Sequence, residues 1–222
     1  MVYPPQKKTK WHPLLIDRPP QGEKKLLPFL EGWANRVKLT ADSAVIDADL
    51  TDFPALLYIS GSSGKNAKDL TFVFDEIGSN SKKIAVTKSD GTTQCYVEIE
   101  RWDSANEKAW IWAKHPTLDA DADEDYDLYF DNAHADNTDY VGDPGSTPAM
   151  KVWDSNFKGV WHLKEDPSGA APQMKDSTSN AVHLTSAGSM TSADLVDGKI
   201  GKAIDFDGSD DKLSKTAYDF GA

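Results

Sequence analysis

Three aromatic-rich segments in the middle of the chain alternate in character from one residue to the next. They cover residues 96–102, 109–113 and 126–132, and short polar turns separate them. Alternation with a period of two, bounded by polar turns, is typical of consecutive antiparallel strands. The segments therefore predict a β-rich body, and no long stretch with a helical period interrupts it.

Further strand patterns extend this body over residues 32–140. About seven or eight strands with turns every 8–12 residues are typical of a sandwich, so we predict an all-β fold with one antiparallel, jelly-roll-like β-sandwich. A first strand is indicated by Val37 and Leu39, which alternate with polar residues, and a break at Asp52-Phe53-Pro54 precedes a central apolar strand at 55–59. The next strand has Leu70, Phe72 and Phe74 on one face. A strand at 84–86 and a hairpin turn at Asp90-Gly91 follow.

Trp110 and Trp112 share one face of their strand, and Ala109, Ile111 and Ala113 share the other. Exposed tryptophans would suit sugar stacking, whereas buried ones belong to the core. Both faces are apolar, which favours a central strand with the two tryptophans in the core.

The first 31 residues are predicted to form an extended arm. Six of the 12 prolines occur by residue 28, and proline favours extended backbone. Basic residues alternate here with apolar ones that a free linker would not need, so the arm either packs on its own domain or anchors the protein to a partner. The candidate anchors are Trp11, Leu14, Leu15, Ile16, Leu26, Leu27 and Phe29.

Charge is distributed unevenly along the chain. Residues 1–40 hold eight Lys or Arg and three Asp or Glu, a net charge of +5. Because the whole chain has a net charge of −12, the other 182 residues carry −17. An acidic body disfavours nucleic acid and anionic membranes as partners. No apolar run is long enough to predict a membrane span, no secretory signal is present, and the single cysteine, Cys95, excludes an intrachain disulfide.

Residues 141–152 are rich in Gly and Pro and are predicted to be a linker. A second module is predicted from residue 153 to 222, with strands at 160–163, at 203–206 and near Leu213. So few strands leave open edges and an uncovered apolar face. We therefore expect either a fragment of a longer protein or a module completed by another chain or by the first domain.

Six short motifs in residues 32–140 resemble a family of bacterial, archaeal and phage domains of unknown function, number two-three-four-one. The last motif departs from the family's Tyr-Tyr-Gly-Asn close. In order, the motifs are Trp33 with Arg36, Asp49-Leu50-Thr51-Asp52-Phe53-Pro54, Asp69-Leu70-Thr71-Phe72, Glu98-Ile99-Glu100-Arg101-Trp102, Trp110-Ile111-Trp112 and Tyr129-Phe130-Asp131-Asn132.

Residues 153–214 resemble the first part of a concanavalin A-like, laminin-G-like module. The matching segments are 160–163, 176–180 and 198–211. The two modules often occur in tandem in cell-surface and phage-tail proteins. The resemblance therefore implies a partial second β-sandwich and adhesion to a glycan or another surface.

Glu98 and Glu100 are the carboxylates that most resemble a catalytic pair. Residues i and i+2 share a strand face, about 6.6 Å apart at their Cα atoms, and retaining glycosidases use two carboxyls about 5–5.5 Å apart. However, the segment differs from the Glu-x-Asp-x-x-Glu of some concanavalin A-like glucanases and lies in the first module. A solvated strand face explains the pattern better, and no catalytic residue is predicted.

Two acidic loops could bind calcium. Asp119, Asp121 and Asp123 alternate as ligands do in a calcium loop, but Glu124 stands where an EF-hand needs glycine, and an acidic hairpin tip explains the loop better. Asp207 and Asp210, with Asp205 and Asp211, are the second candidates, although an Asp-Gly turn explains them equally well. The five histidines, His12, His115, His134, His162 and His183, show no ligand spacing and are predicted to be structural or surface residues.

The sequence therefore predicts a non-enzymatic structural or adhesion protein without a required cofactor. Its expected partners are other proteins of an assembly, contacted through residues 1–31, a glycan, and further copies of the chain. Without a secretory signal or disulfides, a virion component assembled in the host cytoplasm is favoured, such as a phage tail fibre, spike or head decoration. The alternative is a secreted or cell-surface carbohydrate-binding protein, or an accessory module of a glycoside hydrolase.

Overall fold

The computed structural model describes residues 29–216, and these form an all-β body. This confirms the predicted fold class. The strands are β1 (Asn35–Ala41), β2 (Leu50–Ile59), β3 (Ile84–Lys88), β4 (Gln94–Cys95), β5 (Val97–Asp103), β6 (Lys108–Leu118), β7 (Glu124–Phe130), β8 (Val141–Gly142), β9 (Thr185–Ala187), β10 (Leu195–Asp197), β11 (Lys202–Ile204) and β12 (Lys212–Ser214). The helices are α1 (Phe72–Ile77), α2 (Thr147–Met150) and 3-10 turns at Ser43–Val45, Ser104–Asn106 and Ser192–Asp194.

Two four-stranded sheets form the sandwich. The first sheet has the order β1-β7-β3-β4 and the second has the order β2-β6-β5-β8. All pairs are antiparallel except β5 with β8. The side chains of one face of each sheet meet in a single apolar core, and the removal of this surface from water stabilises the sandwich. Its fully buried members include Ile84, Val86, Leu128, Val97 and Ile111.

Strand β6 shows how the alternation of side chains assigns residues to the two faces. It is a central strand, as predicted, between β2 and β5. Ala109, Ile111 and Ala113 face the core and are fully buried. Trp110 and Trp112 are only half-buried, because they lie on the outer face of the sheet. The prediction that both tryptophans belong to the core is therefore wrong.

The outer face of the first sheet is covered by the residues that precede β1. The ring of Phe29 meets the edge of Tyr129 at 5.2 Å between centroids, and the backbone N–H of Leu30 donates to the Tyr129 hydroxyl at 3.2 Å. Phe29 therefore packs on its own sandwich. The other predicted anchors, Trp11, Leu14, Leu15, Ile16, Leu26 and Leu27, lie outside the described residues.

Helix α1 occupies the region where the sequence predicted a strand with Leu70, Phe72 and Phe74 on one face. That prediction is wrong because the buried residues are Leu70, Val73, Phe74 and Ile77, and their spacing is that of a helix face. The Asp69 carboxylate accepts hydrogen bonds from the backbone N–H and the hydroxyl of Thr71, at 2.9 and 2.8 Å. These bonds fix the turn that leads into the helix.

Strand β2 continues through Pro54, where the sequence predicted a break, and it lies at the edge of its sheet rather than at the centre. Proline cannot donate a ladder hydrogen bond, which an edge strand tolerates. Asp52 has a positive φ of 53°, so the backbone is distorted there without ending the strand.

The segment predicted as a linker carries β8 and α2. Val141 pairs with Val97 of β5, and Val141, Ala149 and Val152 are buried. Residues 141–152 are therefore packed against the second sheet.

The chain after residue 153 contains two small ladders, β10 with β11 and β9 with β12. The strand predicted at 160–163 is wrong, because Trp161 makes only a single bridge to Asp176. The buried carboxylate of Asp176 instead accepts hydrogen bonds from the backbone N–H groups of Val160, Thr178 and Val182 and from the Thr178 hydroxyl. Within residues 29–216, no helix has the length and apolarity needed to span a membrane.

His115 on β6 is an uncompensated polar residue in the sandwich. Its side chain is buried, and neither ring nitrogen has a hydrogen-bond partner among the described residues. The ring meets Tyr126 edge-on at 4.0 Å between centroids. Burial lowers the pKa of His115 from 6.5 to about 4, so the folded protein keeps this imidazole neutral.

We predict that His115→Phe stabilises the protein, most strongly at acidic pH. In the unfolded chain His115 takes up a proton below pH 6.5, whereas in the folded chain it does so only below about pH 4. The wild type therefore loses stability as pH falls between these values. Removing two unpaired nitrogens should add about 1 kcal/mol or more. Urea unfolding at pH 7.5 and pH 5 measures the stability gained by the substitution and its pH dependence. If variant and wild type lose the same unfolding free energy between pH 7.5 and pH 5, His115 is not the titrating group.

Candidate functional site

Strand β5 places Glu98 and Glu100 on the outer face of the second sheet, because its alternate residues Val97 and Ile99 face the core. The pairing with β6 shifts register between Ile99 and Arg101. Such a bulge re-aims the side chains beside it. Arg101 is thereby opposite Trp110, with its guanidinium carbon 5.4 Å from the centre of the indole ring.

Both glutamates are buried, so the prediction of a solvated strand face is wrong. Glu98 has no exposed surface and Glu100 keeps 9%. Glu98 accepts hydrogen bonds from the indole N–H of Trp153 at 2.9 Å and from the Ser177 hydroxyl at 3.1 Å. Glu100 accepts one from the indole N–H of Trp112 at 2.6 Å. The residues that cover the glutamates thus come largely from the chain after residue 152.

His162 bridges the two carboxylates. Its Nε2–H donates to Oε1 of Glu98, and its Nδ1 lies 3.3 Å from Oε2 of Glu100. Burial alone would lower the pKa of His162, but the hydrogen bonds and charges of Glu100 and Glu98 outweigh it and raise the pKa to about 9. The imidazole is therefore a cation at neutral pH. We call this group the Glu98–His162–Glu100 cluster.

The pKa of Glu100 is shifted in the opposite direction. Burial raises its pKa, but the hydrogen bond and charge of His162, with the bond from Trp112, lower it below the usual value. The ammonium of Lys164 lies beside the cluster and donates to the backbone carbonyl of Glu100 at 3.0 Å. The cluster is thus a hydrogen-bonded assembly around the His162 cation, in which both glutamate side chains have donors.

This arrangement connects two parts of the chain rather than exposing a catalytic pair. A general acid or base must reach its substrate within hydrogen-bond distance. The Glu98 side chain is fully enclosed, and that of His162 is 8% exposed. The cluster instead attaches residues 153–177 to the outer face of β5.

A small cleft lies at the exposed end of the cluster. Its volume is about 240 Å³, and we call it the Arg101 cleft. Its walls are Glu100, Arg101, Lys164, Ile200, Gly201 and Lys202. Gly201 has a positive φ of 72°, and a Cβ there would lie 3.5 Å from Cδ of Arg101, so the backbone approaches the Arg101 side chain closely.

The two candidate calcium loops differ in geometry. Asp207, Asp210 and Asp211 place one carboxylate oxygen each within 4.8 Å of one another, and this is the acidic grouping with metal-like spacing among residues 29–216. One oxygen of Asp207 already accepts the backbone N–H groups of Ser209, Asp210 and Asp211, as in a tight acidic turn.

Asp119, Asp121 and Asp123 are not brought together in this way. Asp119 accepts from the backbone N–H of Asp121 at 2.7 Å, and Asp123 accepts from the N–H and hydroxyl of Ser43. These carboxylates therefore organise the loop that joins β6 to β7.

The sequence predicts a structural or surface role for His162, but it does not predict the contact with the two glutamates. No spacing relates His162 to residues more than 60 positions earlier. The sequence of β5 contains one signal of this contact. Glu98 lies between the core-facing residues Val97 and Ile99, so its side chain points outward. A segment that packs over it must supply polar partners.

Comparison with known families gives one match. Residues 80–158, about a third of the chain, match the family described as Domain of unknown function (DUF2341). The match includes β3 to β8, α2 and Trp153, and it supports the resemblance noted from the motifs of this region. No curated protein and no solved structure matches the chain.

We predict that the cluster makes the protein sensitive to alkali. The His162 pKa is raised, so its stabilising contribution is complete below pH 6.5 and is lost as pH rises through about 9. The contribution of Glu100, whose pKa is lowered, is instead lost at acidic pH. Urea unfolding followed by tryptophan fluorescence at pH 6.5 and pH 10 should show the alkaline loss.

His162→Gln provides the matched variant. It keeps a polar side chain but removes the charge, and it leaves Glu98 buried without its cation, which costs about 3–5 kcal/mol. The difference in unfolding free energy between pH 6.5 and pH 10 should be smaller in this variant than in the wild type. An unchanged pH difference in this variant would show that another group titrates.

Proposed function

We propose that the protein is a non-enzymatic structural and adhesion protein whose β-sandwich and following segment act as one rigid unit. The observation that carries this proposal is the closed Glu98–His162–Glu100 cluster. The acid–base group that most resembles a catalytic site makes its hydrogen bonds within the protein. The described residues around it leave a substrate no path to Glu98.

We further propose that the unit belongs to a virion, such as a phage tail fibre, spike or head decoration. Supporting this are the resemblance of the first module to phage and cell-surface domains and the similarity of residues 153–214 to the start of a concanavalin A-like, laminin-G-like sandwich. Residues 1–28 would anchor the chain to a neighbouring protein of the particle, and further copies of the chain would join the assembly.

A second candidate is a secreted or cell-surface carbohydrate-binding protein, including an accessory module of a glycoside hydrolase. The observation that favours it is the half-buried Trp110 on the outer face of β6, which lies next to Arg101 of the Arg101 cleft. Both candidates include contact with a surface glycan, and they differ in the assembly that carries the module.

We predict that the full chain releases no reducing ends from polysaccharides. Glu98→Gln should leave any surface adhesion intact after allowance for stability, because Glu98 is fully buried and holds the fold. The double variant with Glu100→Gln serves the hydrolysis assay. Reducing-end release from soluble glucans, galactans and chitin measures hydrolysis, and binding of labelled protein to whole cells measures adhesion. Hydrolysis that disappears in the double variant would establish an enzyme instead.

The anchoring role is tested separately by deleting residues 1–28. The deletion retains Phe29, which packs on Tyr129, so the sandwich should remain folded. Loss of the shortened chain from purified particles, with an unchanged unfolding midpoint, supports the anchor. Incorporation equal to that of the full chain would refute it.

A further inference from the structure

The outer face of the second sheet is covered on one side only. Residues after 152 cover its β5 side, where Trp153 lies 5.3 Å from Trp112 between ring centroids. On the β2 side, Leu56 is 37% exposed, and Tyr58 and Trp110 are half-buried. An aromatic surface therefore remains open beside the covered half.

Tyr58 and Trp110 form a cross-strand pair at this surface. They occupy opposite positions on β2 and β6, and their ring centroids are 4.9 Å apart with a 33° angle between the planes. Aromatic faces carry negative charge density, to which the C–H groups on one face of a pyranose ring are attracted. Rings held together in this way offer such a surface with little loss of side-chain freedom.

Arg101 connects the aromatic pair with the Arg101 cleft. Its guanidinium lies 5.4 Å from the Trp110 ring, and its side chain also forms a wall of the cleft. The cleft, at about 240 Å³, is smaller than the roughly 300–1,000 Å³ typical of sites that enclose a small molecule. It therefore fits one terminal group of a ligand that continues along the surface.

The charges around the cleft are balanced. Arg101 pairs with Asp103 at 2.8 Å, and Lys202 pairs with Asp197 at 2.8 Å. Lys164 donates to the backbone carbonyl of Glu100 and also attracts the carboxylate of that residue. The carboxylates of Asp103 and Asp197 thus neutralise Arg101 and Lys202 and place acceptors beside these donors, so the rim has no excess positive charge there. Hydroxyl groups, which both donate and accept, match such a rim better than a carboxylate or sulfate, and the acidic body repels anions further.

We propose that the Arg101 cleft and the Tyr58–Trp110 pair form a binding site for a neutral sugar at the end of a glycan chain. The terminal sugar enters the cleft and exchanges hydrogen bonds with Arg101 and Lys202, while the adjoining sugar stacks on the aromatic pair. This inference rests on the proposed adhesion function and identifies the ligand class and the surface that contacts it.

The experiment screens the full chain on immobilised oligosaccharides of glucose, galactose, mannose and N-acetylglucosamine, with sialylated and uronic-acid oligosaccharides as acidic comparators. The best neutral binder is then titrated by calorimetry at low and high salt. We expect binding to a neutral oligosaccharide whose affinity changes less than twofold with salt, since no net charge is neutralised.

Trp110→Ala and Lys202→Ala test the location. Each should weaken binding, Trp110→Ala by about tenfold or more and Lys202→Ala by several-fold. Lys202 is exposed, so its variant should fold even if Trp110→Ala does not. Phe206→Ala is the matched control, because Phe206 is an aromatic residue with 43% exposure outside this surface, and its variant should bind as the wild type does.

Three results would overturn the inference. Selective, salt-sensitive binding of acidic oligosaccharides refutes the neutral ligand, and failure to bind any sugar refutes the site. Neutral binding that Trp110→Ala and Lys202→Ala leave unchanged refutes the location while the adhesion function stands. Incorporation into particles, tested above by the deletion of residues 1–28, is independent of all three.

Discussion

The organisation of the protein depends on one buried cation held between two buried carboxylates. Removing charged groups from water is costly, and their attraction offsets that cost only when geometry is good and other hydrogen bonds satisfy the remaining oxygens. Trp153, Ser177 and Trp112 provide those bonds. Because few alternative positions could satisfy both glutamates, the cluster fixes where the chain after residue 152 lies on the second sheet.

That placement divides the outer face of the sheet into two environments. On the β5 side, Trp112 of β6 donates its indole N–H to the carboxylate of Glu100. Two residues earlier on the same strand, Trp110 makes contacts with Tyr58 and Arg101 and retains open surface. Identical residue types on one strand face thus have different roles, because the covering segment reaches only one of them.

Local patterns explain why much of the sandwich was predictable and why the cluster was not. The alternation in β5, β6 and β7 identifies strands directly. In residues 70–77, Leu70 and Phe74 fit both a period of two and a helix face, and Val73 and Ile77 decide for the helix. His162 meets Glu98 only through the tertiary fold, and a contact between residues so distant in sequence leaves no periodic signal in either segment.

The burial of Glu98 and Glu100 also bears on whether the sandwich is a self-contained module. The family match ends at residue 158 and so includes both glutamates, Trp112 and Trp153. The cation and the hydroxyl that complete the cluster, His162 and Ser177, lie beyond it. Without them, two carboxylates on a packed sheet face would need water or another partner. The segment that follows the matched region is therefore part of the electrostatic structure of the sandwich in this chain, and it cannot be exchanged for an arbitrary module without a replacement for the imidazolium.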